Sequence, residues 1–194
     1  MNYYTHQGGW IEVICGPMFA GKTEELIRRV TRMEYAKKNF LVFKPVIDNR
    51  YAINEVVSHS HSKKKAMNIS KPSEIYAYLT KDIQAVVIDE IQFFDESMID
   101  VIQDLASKGL RVIAAGLDLD FKGRAFGIMP DVLAVAEKVT KLTAICVVCG
   151  EEATRTQRII DGHEAYADDP IVLVGAKESY EARCRKCHKV LFRG

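Results

Sequence analysis

Gly16-Pro17-Met18-Phe19-Ala20-Gly21-Lys22-Thr23 decides the fold. It fits the phosphate-cradling pattern G-x-x-x-x-G-K-[ST] at every fixed position. Ahead of it runs Ile11-Glu12-Val13-Ile14-Cys15, short, apolar and β-branched, which predicts a buried strand. Behind it runs Glu24-Glu25-Leu26-Ile27-Arg28-Arg29-Val30. Acids in the first turn and apolar residues at helical spacing predict a helix over 23–37. It buries Leu26, Ile27, Val30 and Met33, and Arg28, Arg29 and Arg32 form its solvated face. In a strand–loop–helix unit, successive backbone N–H groups converge on a phosphate, and the helix N-terminus adds partial positive charge. Lys22 then reaches the β- and γ-phosphates, and the Thr23 hydroxyl sits on Mg²⁺.

Working outward, strands alternate with helices, which predicts an α/β fold with a mainly parallel sheet covered on both faces. Phe40-Leu41-Val42-Phe43-Lys44 is the second strand, stopped by Pro45. Asp48 and Arg50 follow it, on the side where ligands of open α/β sheets bind. Two readings stand for that pair: contacts to hydroxyls, phosphate or Mg²⁺, or an Asx turn beside a surface arginine. The stretch 54–70 reads as a polar excursion, and a helix carrying Ile75, Tyr76 and Leu79 is expected from Ser70 or Ser73. Ala85-Val86-Val87-Ile88-Asp89-Glu90 is an apolar strand ending in two carboxylates. In phosphate-loop proteins the aspartate holds the Mg²⁺ shell. Strand alternation sends Glu90 the other way, free to act on a nucleophile's proton. Gln92-Phe93-Phe94 follows, as aromatic surface beside the carboxylates or as core. A helix from Ser97 stops at Gly109, and the strand 111–115 leads into the loop 117–127. There Phe121 and Phe126 flank Lys122 and Arg124, a combination that stacks bases and holds phosphates. A helix beginning at Pro130 runs through Glu137, and one strand is expected over 138–145.

Cys146-Val147-Val148-Cys149 pairs with Cys184-Arg185-Lys186-Cys187. Two C-x-x-C knuckles supply the four thiolates of a tetrahedral structural Zn²⁺ site, with paired redox thiols as the alternative and His188 as a lesser substitute for Cys187. The insertion from 150 to 183 exceeds the roughly 15–20 residues of simple ribbons. Within it, Asp161-Gly162 marks a hairpin. The rest forms either a covering loop over a ligand or a plain β-ribbon with the apolar run 171–174 inside it. Cys15 stands apart as a small buried residue.

The 194 residues carry 27 basic and 26 acidic side chains, for a net charge of +1. That excludes a global field for nucleic acid or anionic membrane. No apolar run approaches the ~20 residues of a membrane span. The first residues lack the charged and apolar regions of a signal peptide, so the expected compartment is the cytoplasm, where cysteines are reduced.

These motifs together, in order and spacing from Gly9 to about Val190, strongly resemble type II thymidine kinase. The resemblance rests on the glycine loop, Asp48-Asn49-Arg50-Tyr51, Asp89-Glu90 with Gln92-Phe93-Phe94, the loop 117–127, both knuckles, and the stretch 175–180. It implies a RecA-like nucleotide-binding domain over 1–143 and a zinc-ribbon-like domain over 144–194 carrying a lasso loop over the substrate. It implies ATP, Mg²⁺ and structural Zn²⁺, with Glu90 as the base. ATP would meet 16–23, Asp89 and Gln92, and Thr23 and Asp89 would hold magnesium. Main-chain groups of Ile171, Val172, Leu173, Val174 and Gly175 would face the thymine edge, and Tyr180 would line that pocket. Met18, Phe93, Leu117, Phe121 and Phe126 would enclose the base, with Asp48 and Arg50 near the 5′ end. The family is usually a homotetramer inhibited by thymidine triphosphate. The competing class is a nucleic-acid-dependent ATPase with a zinc ribbon, in which the glutamate activates water. The short chain, near-zero charge and lack of a basic stripe stand against it. A nucleotide-regulated binding protein without turnover is the third reading.

Overall fold

The computed structural model describes residues 8–46, 55–57, 63–171 and 178–193. β1 (Trp10–Cys15) runs into the glycine loop, and α1 (Lys22–Tyr35) leaves it. β2 (Phe40–Pro45), the hairpin of β3 (Glu55–Val57) and β4 (Lys63–Lys65), and β5 (Met67–Ile69) follow. β6 (Ala85–Ile88), α2 (Ser97–Ser107), β7 (Arg111–Gly116), α3 (Met129–Val135) and β8 (Lys138–Lys141) complete the larger body. Its six-stranded sheet has the order β5-β2-β6-β7-β1-β8. Every pairing in it is parallel, so the carboxyl ends of all the strands open on one edge.

Both faces of the sheet are covered at its centre, which is why β6 is wholly apolar and β7 is apolar after Arg111. Val13 and Cys15 point into a core shared with Met98, Ile102 and Leu105 of α2 and Met129 of α3. Ile14 between them points into the opposite core, with Leu26, Val30 and Met33 of α1. The buried stripe of α1 is the predicted one with a single correction: Arg29, expected in solvent, is buried. Its Nη1 donates to Glu12 Oε2 at 2.6 Å and its Nε to Glu25 Oε1 at 2.8 Å. Arg111 Nε donates to the other oxygen of Glu12 at 2.7 Å. A carboxylate buried on β1 requires cations beside it, and apolar periodicity does not register a charge on the core face.

Five further expectations are corrected. β2 runs one residue further than expected, with Pro45 as its last residue, in register with Ile69 of the edge strand β5. The excursion 54–70 contains the β3–β4 hairpin and β5. The segment Pro72–Tyr78 is a 3₁₀ helix, a short proline-initiated stretch that buries Ile75. The single strand over 138–145 is two: β8 pairs with β1, and β9 (Ala144–Ile145) pairs with β10 (Glu152–Ala153). The change of partner falls at 142–143, where Leu142 N–H donates to Cys15 O at 2.8 Å. α3 also ends before Glu137, whose carboxylate turns back to accept the Ile11 N–H at 2.6 Å.

The C-terminal module adds β11 (Arg155–Ile160), β12 (His163–Glu164) and β13 (Glu178–Arg183), ordered β12-β11-β13. Asp161 at φ 48° and Gly162 at φ 84° make the tight turn between β11 and β12, the left-handed pair that a two-residue hairpin needs. Among the described residues this module's apolar cluster is Ala144, Cys146, Ala153 and Ala182, with Ala20 of the glycine loop packed against it.

Candidate active site

The glycine loop sits where β1 ends, between its neighbours β7 and β8. Gly16 has φ 142°, and a Cβ there would meet Leu142 O at 2.3 Å. No side chain fits in that space, so the first fixed glycine of the motif follows from packing. Gly21 caps α1 in the left-handed conformation and accepts the Glu25 N–H at 3.0 Å. Lys22 Nζ donates to Pro17 O at 2.7 Å, so the ammonium lies folded against the loop. Burial by the surrounding protein pushes its pKa below the usual lysine range, against the pull of Glu90, Asp89 and Asp118.

β6 stops at Ile88, and Asp89 and Glu90 turn away from it, half-buried. Glu90 is not aimed by strand alternation. It has φ 52° and ψ 40°, the left-handed region, which costs a non-glycine residue about 1 kcal/mol or more. Its N–H donates to Asp89 Oδ1 at 3.0 Å. Gln92, expected on the ATP side, is buried at 2% exposure. Its Nε2 donates to Glu90 Oε2 at 2.5 Å, and its Oε1 accepts the Leu117 N–H at 3.2 Å. Phe93 meets Phe126 edge to face with centroids 5.4 Å apart.

Asp118 follows Leu117 on the tip of β7 and is a residue the sequence reading passed over. Its buried carboxylate has Lys141 Nζ 2.7 Å from Oδ2. It raises the pKa of Cys15, already lifted by burial, to about 11. That thiol is buried, as expected. Only position could have singled out Asp118, as an acid at the carboxyl end of a central strand.

The C-terminal module packs onto this edge. Met18 N–H donates to Thr156 Oγ1 at 3.0 Å, tying the glycine loop to β11. Arg155 Nη1 donates to Gly123 O at 3.2 Å, and a His188 ring nitrogen bonds Phe121 O at 2.8 Å. Phe121 is buried, with the Arg158 guanidinium 4.1 Å from its ring centroid. Its face is covered by a cation, where a free stacking surface was expected. Arg158 itself is 2% exposed. Its Nε donates to Tyr180 Oη at 3.2 Å, Nη1 to Pro170 O at 2.5 Å, and Nη2 to Ile171 O. It therefore joins three predicted pocket residues, Phe121, Ile171 and Tyr180. Nothing in its sequence setting, the polar run Thr154-Arg155-Thr156-Gln157-Arg158, distinguishes it from a solvated arginine. The predicted residues Asp48, Arg50, Val172, Leu173, Val174 and Gly175 lie outside the described residues.

Cys146, Cys149, Cys184 and Cys187 gather with their sulfurs within 4.8 Å of one another. The Cys149 and Cys184 sulfurs are 3.7 Å apart. A zinc tetrahedron with Zn–S near 2.3 Å has edges of roughly 3.8 Å, so the four thiols fit that ion. His188 is not part of the cluster.

A wholly parallel sheet with a glycine loop after β1 and an acid pair after β6 defines a phosphate-loop nucleotide-binding protein, here with a four-cysteine metal module. A family model described as "Thymidine kinase" matches residues 9–188. The chain belongs to the thymidine kinase family. Among solved structures it is similar to the X-ray structure of the Legionella pneumophila ATPase DotB, with 10% identity and a TM-score of 0.45. That alignment covers 76% of this chain and 44% of the ATPase, so the chain spans less than half its length. The likeness is too distant to extend anything about that ATPase to this chain.

Proposed function

We propose that the chain is an ATP-dependent thymidine kinase, transferring the γ-phosphoryl group of ATP to the 5′-hydroxyl of thymidine to give thymidine monophosphate. Family membership over residues 9–188 is the observation that carries this reading. The 5′-oxygen forms a bond to the γ-phosphorus as the bond to the β,γ-bridging oxygen breaks, and ADP leaves. Glu90 takes the hydroxyl proton. Phosphoryl transfer asks for in-line placement and charge neutralisation more than covalent help. Lys22 and the amides of 16–23 neutralise the phosphates. Its present bond to Pro17 O is one the ammonium exchanges for phosphate oxygens. Thr23 and Asp89 offer the hard oxygen ligands that Mg²⁺ prefers, and they would hold an ion that neutralises developing charge. The four cysteines would hold Zn²⁺ in a closed structural site with no position left for substrate.

In this reading Met18, Phe93, Leu117, Phe121 and Phe126 enclose the thymine. Main-chain groups of 171–175 read its edge, with Tyr180 beside them, and Asp48 and Arg50 serve the 5′ end. A buried amide left unpaired costs about 1–3 kcal/mol, which disfavours cytosine. Cytoplasmic location, a homotetramer and inhibition by thymidine triphosphate belong to the same proposal. Among the described residues no helix is long and apolar enough to cross a membrane.

The test is ATP consumption with thymidine and, separately, with single-stranded DNA, on the native chain and on Glu90→Gln. Thymidine-dependent turnover that falls by about a hundredfold or more in the variant, with thymidine still bound, is the expected result. Consumption driven by DNA alone would transfer the glutamate to a water-activating ATPase.

A further inference from the structure

We infer that Gln92 is the positioning residue for Glu90, and that Gly116 is a glycine because it leaves the space that holds the Gln92 side-chain amide, while Gly127 leaves room for the Gln92 main chain. This rests on the kinase reading above and extends it to the residues that aim the base. Gln92 is nearly inaccessible and uses both ends of its side chain. The amide nitrogen donates to Glu90 Oε2 at 2.5 Å, and the amide oxygen accepts the N–H of Leu117 at 3.2 Å. The two partners leave different strands. Glu90 follows β6 and Leu117 follows β7, and these strands are locked in parallel register with Ile88 beside Ala114. The amide therefore spans the two strand tips and fixes the carboxylate relative to the β7 edge of the pocket.

The niche leaves little room around it. A Cβ on Gly116 would stand 2.4 Å from Gln92 Oε1, and one on Gly127 would stand 2.4 Å from Gln92 O. Gly127 also has φ 49°, whereas Gly116 lies outside the positive-φ region. At Gly116 the requirement is space alone. Glu90 in turn holds a left-handed conformation that few non-glycine residues adopt unless their surroundings impose it. Its neighbours on both sides supply that imposition: Asp89 Oδ1 on its N–H, and Gln92 on its carboxylate. Among the described residues the Gln92 amide is the hydrogen bond that holds this carboxylate, with Lys22 attracting it electrostatically.

The experiment measures kcat, both KM values and Tm for Gln92→Met, Gly116→Ala and the double variant, with Glu90→Gln as reference. Methionine keeps the volume and removes both polar ends. Alanine at 116 leaves Gln92 and Glu90 unchanged but pushes on the amide oxygen. Misplacing a catalytic group by about 1 Å costs on the order of a hundredfold. Each single variant is therefore expected to lose kcat by about ten- to a hundredfold, while KM for thymidine and for ATP stays within about twofold. The double variant is expected to lose no more than the worse single, because both act through one contact. Native kcat in a folded Gln92→Met, fully additive losses, or losses carried by KM would overturn the inference. If Gln92→Met fails to fold, Gly116→Ala decides, and native kcat there overturns it equally. Normal turnover in Glu90→Gln would instead remove the base itself. An inactive Glu90→Gln beside a fully active Gln92→Met would sink only the positioning role.

Discussion

Arg158 shows how much one buried side chain organises around itself. Its planar fork reaches Tyr180, Pro170 and Ile171 while its face lies over Phe121. A buried guanidinium is tolerable only when its donors are matched, and here two of the matching groups, Tyr180 and Ile171, are among those proposed to border the base. Lysine keeps the charge but has neither the fork nor the flat face. Losing charge-assisted bonds worth about 2 kcal/mol together, Arg158→Lys is expected to raise the thymidine KM by roughly thirtyfold and leave the ATP KM unaltered. Steady-state kinetics with each substrate varied in turn checks this, and an unmoved thymidine KM would mean that the arginine only fills space. The sequence offered no route to this residue. Arginine in a polar strand reads the same whether it faces solvent or a partner from elsewhere in the chain.

At the scale of elements, the first turn of α1 links the phosphate site to the stability of its helix. Glu25 accepts from Arg28 Nε at 2.5 Å and from Arg29 Nε at 2.8 Å. The bond from Arg28, foremost, and that from Arg29 hold its carboxyl down at about 2, against the ordinary 4.5. A carboxyl lowered on folding stabilises the native state above its unfolded pKa, and that contribution is lost as pH falls toward the folded value. The Tm difference between the native chain and Glu25→Gln should accordingly be widest above pH 5 and close as pH drops from 4.5 toward 2. Thermal melts across that range provide the check, and a gap independent of pH would show that these ion pairs contribute nothing. The helix itself was legible from its spacing of Leu26, Ile27, Val30 and Met33. Its buried Arg29 was not, because the Glu12 that requires it lies on a strand and is itself a charge among apolar neighbours.

For the whole molecule, hydrogen bonds tie the small module to the large body beside the proposed site. Thr156 holds Met18, Arg155 holds Gly123, and His188 holds Phe121. Among the described residues the module's core cluster is Ala144, Cys146, Ala153 and Ala182, small side chains that a metal staple would reinforce. Metal held by the four thiols would supply folding energy for the module. Chelation, or Cys184→Ser, is expected to weaken thymidine binding by at least about tenfold while the parallel sheet, with its separate cores, stays folded. Calorimetric titration with thymidine alongside circular dichroism tests both halves of that statement. Thymidine affinity that survives complete metal removal would uncouple the module from the pocket.

The sequence alone determined the phosphate loop, the strand that ends in Asp89 and Glu90, the parallel α/β body and the four-cysteine module. Each of these is written in local spacing: a motif, an apolar run or a pair of knuckles. It also supported the family, because those local signals fall in one order. Tertiary structure decided how Glu90 is aimed, where Gln92 and Arg158 point, and why 138–145 breaks to serve two sheets. Those features depend on groups far apart in the chain meeting in space. Leu117 meets Gln92, Ile171 meets Arg158, and Cys15 meets Leu142, contacts that no periodicity along the chain encodes.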